Sequence, residues 1–211
     1  RLIQEDYKQE ITLDSGEKKN IYLIDKNNIH NNSLQVLNQY VNNDGNFDNR
    51  YDVTILVNGL PLVHVELKKR GIDLREAFNQ IERYQRDSFW AGSGLYNFVQ
   101  IFVISNGTLT KYYSNTTREF HINNQKKKKS NSFEFTSYWA DQKNNGITDL
   151  IDFAKTFFTK HTLLNVLTKY CVFTSEEDLL VMRPYQIVAT EKILNRITIA
   201  YNNKFYGTLR S

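Results

Sequence analysis

The sequence has a single cysteine, Cys171, among its 211 residues. One thiol excludes an internal disulfide and a cysteine-based zinc cluster, and this usage is typical of a reducing cytoplasm. No apolar run approaches the roughly 18 residues of a membrane span, and no signal-peptide pattern opens the chain. These absences predict a cytoplasmic protein that does not associate with a membrane.

Nucleotide hydrolysis also lacks its usual sequence signature. The phosphate-loop pattern G-x-x-x-x-G-K-[ST] does not occur in the sequence, so this chain alone is not expected to hydrolyse ATP. The chain starts at Arg1 rather than Met, as a fragment would. Its 40% hydrophobic and 13% aromatic residues are enough for the core of one full domain and part of another.

The net charge is modest, +4 from 27 basic and 23 acidic residues, so its distribution matters more than its total. Six basic and three acidic residues lie between Lys68 and Arg86, which favours a strip that faces phosphate groups. The run from Lys126 to Lys129 is a second basic block. Isolated runs of this kind are most often solvated loop tips.

Two alternating apolar runs, 53–57 and 63–67, flank Asn58-Gly59 and predict a β-hairpin. If both apolar faces are on one side, odd residues pair with odd and even with even, which puts Asp52 beside Glu66 and Lys68. A tight turn on Asn58-Gly59 would set the faces out of phase. We therefore expect an extra residue, in a bulge or a longer loop at Leu60-Pro61.

The remaining pattern alternates strands and helices. Asp73 is a candidate N-cap, with Glu76 three residues later in a capping-box pattern. Strands are predicted at 21–24, 98–105 and 109–114 and a short edge strand at 133–138, with helices at 74–87, 150–158, 163–170 and from Pro184 to about Ile197. The order indicates an α/β fold, a mixed β-sheet flanked by helices.

Two carboxylates on one face of adjacent strands are suitable ligands for a hard cation such as Mg²⁺. Lys68 is two residues beyond Glu66, about 6.6 Å along a strand, and can reach the same space. A lone E-x-K is usually a surface ion pair, so the signal is its conjunction with Asp52 and the basic segment. His64 shares this face, but with no second His or Cys nearby it is expected to be a neighbour rather than a ligand.

These residues resemble a known family. Asp52, 13 residues and then Glu66-Leu67-Lys68 resemble the PD-(D/E)xK nuclease motif, with Tyr51 in place of the motif's proline. Gln80 and Tyr84 resemble the QxxxY motif of the RecB-like branch, whose upstream acidic residue is not identifiable here. The wider context, residues 49–53, 65–71 and 76–80, is similar over most of the chain to the nuclease domain of the motor (R) subunit of type I restriction enzymes.

The resemblance implies a role for each matching residue. Asp52 and Glu66 would bind Mg²⁺ and Lys68 would be the catalytic lysine. Gln80 and Tyr84, with Lys69 and Arg70, would contact DNA or orient the site. Gln186, in the stretch 182–186 that resembles the approach to a superfamily 2 helicase motor, would contact adenine in a longer chain.

At the level of the whole chain, the resemblance implies a restriction-endonuclease-like domain at 1–170, then a linker and the start of a helicase-like domain at 171–211. The activity would be that of a type I site-specific deoxyribonuclease. It would cut duplex DNA non-specifically after ATP-driven translocation, in a complex with methyltransferase and specificity subunits, and ATP would bind only the full-length subunit.

Two other interpretations remain open from the residues alone. The chain could be a DNA-binding or coupling module whose acidic cluster does not cut, or a stand-alone RecB-like nuclease. The DNA sequence recognised and the number of metal ions cannot be derived from these motifs.

Overall fold

A computed structural model describes residues 6–42, 49–85, 89, 94–115, 132–175 and 178–208 of the chain. Its strands are β1 (Lys8–Thr12), β2 (Lys18–Tyr22), β3 (Leu34–Asn42), β4 (Asn49–Val57), β5 (Leu60–Leu67), β6 (Ile101–Ser105), β7 (Thr110–Ser114), β8 (Trp139–Ala140), β9 (Gly146–Ile147), β10 (Cys171–Phe173) and β11 (Leu179–Val181). Its α-helices are α1 (Leu74–Tyr84), α2 (Leu150–Phe157), α3 (Lys160–Thr168) and α4 (Pro184–Thr208).

Five strands form the central sheet in the order β3-β4-β5-β6-β7. The pairing of β5 with β6 is parallel and the other three pairings are antiparallel. A parallel pair needs a crossover connection, and α1 lies within the connection between β5 and β6. The prediction of a mixed sheet flanked by helices is therefore confirmed.

Helix α1 begins as its sequence predicts. The side chain of Asp73 accepts a hydrogen bond from the backbone N–H of Arg75, which satisfies one of the donors that a helix leaves open at its first turn. Its apolar residues recur at helical spacing and are buried against the sheet: Leu74, Ala77, Phe78, Ile81 and Tyr84. Residues 86–88, which the predicted helix included in part, lie outside the described residues.

The sheet separates two apolar layers. One contains α1 together with Phe102 and Ile104 of β6. The other contains Ile101 and Val103, whose neighbours come from α2, α3 and the β10–β11 pair. Successive side chains of a strand point to opposite faces, so β6 is fully buried between the two layers.

The β4–β5 hairpin confirms the odd-with-odd register, with Val53 opposite Val65 and Ile55 opposite Val63. The extra residue exists, but its predicted position at Leu60-Pro61 was wrong. Asn58 and Gly59 have φ values of 50° and 85°, as a tight type I′ turn requires, and Leu60 pairs directly with Val57.

The bulge falls one residue later, at Leu62, because Pro61 pairs with Leu56 and Val63 with Ile55. Next to a two-residue turn, a residue at position 61 points its backbone N–H away from β4. On that side β5 pairs with β6 only from Val63 onward. The missing donor of Pro61 is therefore tolerated inside the strand.

Other predicted boundaries differ from the structure. The strand predicted at 98–105 begins only at Ile101, after a 3₁₀ turn at Leu95–Phe98, and the second strand is Lys18–Tyr22 rather than 21–24. The edge strand predicted at 133–138 was wrong. A 3₁₀ turn spans Ser132–Phe135 and only Ser137 bridges to Tyr112.

The second half of the chain packs on the same core. The hydroxyl of Ser114 donates to the carbonyl oxygen of Leu179, and that of Tyr112 donates to the carbonyl oxygen of Met182 at 2.9 Å. The β10–β11 pair therefore lies against the central sheet, while the division at residue 170 stays a prediction. Residues 43–48 and the run from Lys126 to Lys129 lie outside the described residues.

None of the described helices combines the length and the apolar character that crossing a lipid bilayer requires.

Candidate active site

Glu66 and Lys68 come together at the end of β5. Glu66 is 2% exposed, and its Oε1 accepts a hydrogen bond from Nζ of Lys68 at 2.8 Å. The backbone N–H of Lys68 donates to the carbonyl oxygen of Ser105 at 2.8 Å, which extends the ladder to β6 by one residue. Strand pairing therefore holds both side chains on the α1 side of the sheet.

Asp52 joins this pair from β4. It is half-buried, and its Oδ2 accepts a hydrogen bond from the backbone N–H of Leu67 at 2.8 Å. Burial raises the pKa of the Asp52 carboxyl above its usual value, and the negative charge of Glu66 raises it further against the opposing effects of the Leu67 N–H and Lys68. The Asp52 carboxyl is therefore close enough to Glu66 for their charges to interact.

Strand β4 is irregular at Asp52, which the regular alternation did not predict. Tyr51 and Thr54 are three residues apart and should face opposite sides, yet both contact Tyr96: the Tyr51 and Tyr96 ring centroids are 4.5 Å apart, and the Thr54 and Tyr96 hydroxyls 3.1 Å. The opposing strand has Gln39 at φ 50° in the same place. The pairing of β4 with β5 begins at Val53, so Asp52 lies outside the ladder and reaches the backbone of β5 instead.

Tyr84 connects the end of α1 to the start of β4, and Gln80 contacts Tyr84 within the helix. The Tyr84 hydroxyl donates to the carbonyl oxygen of Arg50 at 3.1 Å, and the Gln80 side chain hydrogen-bonds to Tyr84 and accepts from Arg83. Burial raises the pKa of Tyr84 well above its usual value, and the charge of Glu66 adds to this effect. Tyr84 therefore stays protonated and continues to donate.

Lys69 and Arg70 are exposed on the turn that follows β5. A neighbouring loop shapes this turn: the Asn106 side chain donates to the carbonyl oxygen of Ile72 at 2.7 Å. A Cβ on Gly107 would be 3.3 Å from Cγ of Arg70, so the glycine allows the two loops to approach closely. Both basic side chains are accessible and follow Glu66 by three and four residues in the chain.

A depression of about 460 Å³ lies next to Lys68 and is lined by Lys68, Glu76, Asn79, Glu82 and Arg83. Sequence reasoning did not select Asn79, Arg83 or Asn106. Asn79 and Arg83 are four apart on α1, so the helical period was a signal that could have found them. Asn106 carried no such signal, because its role depends on a contact between two loops.

Gln186 is on a separate element. Its Oε1 accepts a hydrogen bond from the backbone N–H of Arg183 at 2.8 Å, at the start of α4, where Pro184 occupies the first helical position. The side chain therefore caps a helix in this structure. Its contact with adenine stays a prediction.

Asp52 and Glu66, called the acidic pair below, fit a divalent cation that needs few protein ligands. Among the described residues, no group of three or more His, Cys, Asp and Glu side chains is arranged to hold a metal ion. Mg²⁺ commonly keeps several waters and takes only one or two carboxylates. Oε2 of Glu66 is buried and has no hydrogen-bond partner within the described part of the chain, so it has acceptor capacity left for a cation.

Comparison with known proteins gives consistent relatives. The family described as type I restriction enzyme R protein N terminus (HSDR_N) matches residues 1–121. The chain is 53% identical over 204 residues to the type I restriction enzyme EcoprrI endonuclease subunit of Escherichia coli, an alignment that covers 97% of this chain and 62% of that protein.

More distant relatives carry the same kind of name. The type I restriction enzyme SauCOLORF180P endonuclease subunit of Staphylococcus aureus strain COL is 39% identical over 94% of this chain and 20% of that protein. The putative type I restriction enzyme MjaVIIIP endonuclease subunit of Methanocaldococcus jannaschii is 28% identical over 93% of this chain and 18% of that protein. The chain therefore spans less than two thirds of the relatives it matches.

The family predicted from the motifs is thereby confirmed. The matched region, residues 1–121, is more than half of the 211-residue chain and contains the acidic pair, Lys68 and the Gln80–Tyr84 motif. This chain belongs to the type I restriction enzyme R protein N-terminal family.

Proposed function

We propose that this chain carries the Mg²⁺-dependent nuclease centre of a type I restriction enzyme R subunit and cleaves the backbone of duplex DNA. The observation that carries the proposal is the convergence of three side chains. Buried Glu66 is held by Lys68 at 2.8 Å, and half-buried Asp52 reaches the intervening backbone N–H of Leu67 at 2.8 Å. The names of the relatives, all endonuclease subunits, support the same activity.

Asp52 and Glu66 would hold the cation. When bound, Mg²⁺ supplies positive charge that polarises a phosphodiester and favours ionisation of an attacking water. The ammonium group of Lys68 has three N–H donors, one of which engages Oε1 of Glu66. Its other donors would hydrogen-bond to phosphate oxygens and stabilise the negative charge that develops there.

Binding of DNA would not depend on its sequence. Lys69 and Arg70 are exposed on the turn that follows Glu66 and Lys68. Exposed cations of this kind would contact phosphates, which carry no sequence information. The resemblance to type I restriction enzymes implies that a separate specificity subunit reads the DNA sequence, and we propose that this subunit and a methyltransferase subunit complete the complex.

The relatives are longer than this chain, which supports placing this centre in a larger subunit. We propose that cleavage follows ATP-driven translocation by a motor region of the full-length subunit, where Gln186 contacts adenine. Residues 171–211 would begin that region. The complex would act in the cytoplasm, where a chain with one cysteine needs no disulfide.

Metal dependence of cleavage tests this proposal. The restriction complex assembled with the subunit that carries this chain should cut circular duplex DNA with Mg²⁺ and ATP, and EDTA should abolish cutting. Glu66→Ala should leave no cutting at any Mg²⁺ concentration, whereas Glu17→Ala, an exposed carboxylate on the β1–β2 turn, should cut normally. Cutting by Glu66→Ala at the wild-type rate would show that the centre lies elsewhere.

The same assay separates the two other interpretations. A silent DNA-binding module would bind DNA but leave it intact with Mg²⁺ present. A stand-alone nuclease would cut when the purified 211-residue chain is supplied without other subunits.

A further inference from the structure

His64 is a buried polar residue with no role in the chemistry described above. Its side chain is 0% exposed on β5. Aromatic rings surround it edge-on, with ring-centroid distances of 5.6 Å to Tyr51, 5.3 Å to Phe89 and 6.3 Å to Phe102. Buried polar side chains normally have hydrogen-bond partners, so this position needs an explanation.

Within the described residues, neither Nδ1 nor Nε2 of His64 has a hydrogen-bond partner, and the same holds for Oε2 of Glu66. Nε2 of His64 is 3.7 Å from Oε2 of Glu66, which is longer than a hydrogen bond. Nε2 of His64 and Oε2 of Glu66, both buried and both without a partner in the part of the chain that the structure describes, therefore face each other across a small gap.

We propose that His64 is a positioning residue for Glu66, an inference that rests on the proposed metal-dependent function. In the metal-loaded site, the imidazole of His64 donates a hydrogen bond from Nε2 to Oε2 of Glu66. Lys68 already donates to Oε1 at 2.8 Å. The two donors together hold both carboxylate oxygens, so the carboxylate cannot rotate away from the cation.

The chemistry of carboxylate ligands supports this role. Each carboxylate oxygen has two acceptor positions, so a bond from His64 leaves one on Oε2 for the cation. Partners of this kind orient metal-binding groups, and their loss typically weakens metal affinity by roughly 10- to 100-fold. The aromatic rings fix the imidazole in place and leave it little freedom to turn toward another acceptor.

Mn²⁺ affinity of the purified chain, measured from the free Mn²⁺ signal in electron paramagnetic resonance, tests the proposal without any activity assay. His64→Leu fills the space without a donor and should weaken binding by roughly 10- to 100-fold. His64→Gln keeps an amide N–H near the position of Nε2 and should stay close to wild type. Equal affinity in the two variants, whether weak or strong, would overturn the positioning role.

Two further measurements keep the outcomes distinct. Melting temperatures without metal report any purely structural effect of each variant. Glu66→Ala should lose Mn²⁺ binding. If it binds like wild type, or if wild type does not bind, the proposed metal site itself fails. If Glu66→Ala loses binding but His64→Leu does not, only the role of His64 fails.

The tautomer of His64 gives an independent readout. Nitrogen NMR of the labelled chain with Mg²⁺ should show the hydrogen on Nε2. A hydrogen on Nδ1 alone would leave no donor toward Glu66 and would contradict the proposal.

Discussion

The Tyr84 hydroxyl donates a hydrogen bond to the backbone carbonyl oxygen of Arg50 at 3.1 Å, two residues before Asp52. This bond joins the last residue of α1 to the second residue of β4. Tyr84 also packs edge-on against Tyr51, with ring centroids 5.0 Å apart. Tyr84 of the QxxxY motif therefore holds the strand that carries Asp52 against α1 in this structure.

Tyr84→Phe should weaken this contact between α1 and β4. The ring contacts remain, but the hydroxyl bond to Arg50 is lost, which costs about 0.5–1.5 kcal/mol of unfolding free energy. We expect the cleavage rate to fall strongly while the unfolding free energy changes little, because the loss of this bond displaces Asp52 without unfolding the sheet. Urea denaturation and DNA cleavage measure the two effects. Tyr185→Phe, at an exposed position on α4, is the control and should change neither.

The loop around Asn106 should be structurally important although it contains no catalytic residue. The Asn106 side chain donates to Ile72 at 2.7 Å and accepts from the backbone N–H of Leu109 at 2.8 Å. Asn106→Ala removes both of these partly buried hydrogen bonds. At about 0.5–1.5 kcal/mol for each bond, it should lower the unfolding free energy by about 1–3 kcal/mol. Asn195→Ala, exposed on α4, should have almost no effect in the same denaturation experiment.

The tight hairpin turn should depend on Gly59. Its φ of 85° lies in the left-handed region, which costs a residue with a Cβ about 1–2 kcal/mol. Gly59→Ala should therefore lower the melting temperature. Gly146→Ala is a matched control, because Gly146 has no positive φ and a Cβ there would meet nothing within 4 Å. Equal melting temperatures for the two variants would refute the assigned turn.

The charge of Asp52 should oppose folding when no metal is bound. Burial and the charge of Glu66 raise the pKa of its carboxyl in the folded chain, so the folded state favours the protonated form. The contribution of the Asp52 carboxyl to the unfolding free energy therefore falls as the pH rises through the range in which this carboxyl loses its proton. At neutral pH in EDTA, Asp52→Asn should melt at a higher temperature than wild type. In a separate assay with Mg²⁺, its cleavage of DNA should be lost. A lower melting temperature would show that the Leu67 N–H bond outweighs these effects.

Local patterns predicted much of the site. Alternation around Asn58-Gly59 predicted the hairpin, its odd-with-odd register and the need for an extra residue, all of which the structure confirms. Capping at Asp73 and the apolar period predicted α1. These features depend on neighbours in the sequence, and such neighbours can be read without knowing the fold.

Features that depend on distant contacts were not predictable in this way. The irregularity of β4 at Asp52 depends on Tyr51 and Thr54 both packing against Tyr96. The 3₁₀ turn that replaced the predicted edge strand places the ring of Phe133 4.7 Å from the cationic groups of both Arg75 and Lys111. In both places, tertiary packing overrides the local preference for a regular strand.

We propose that Asp52, Glu66 and Lys68 form a nuclease centre separate from any motor function. The most direct measurement compares cleavage and ATP-driven translocation in the restriction complex with Glu66→Ala or Lys68→Ala, and with Lys155→Ala, an exposed lysine on α2, as control. We expect both site variants to lose cleavage while translocation continues at the wild-type rate. Loss of translocation together with cleavage, or retention of cleavage, would contradict the assignment.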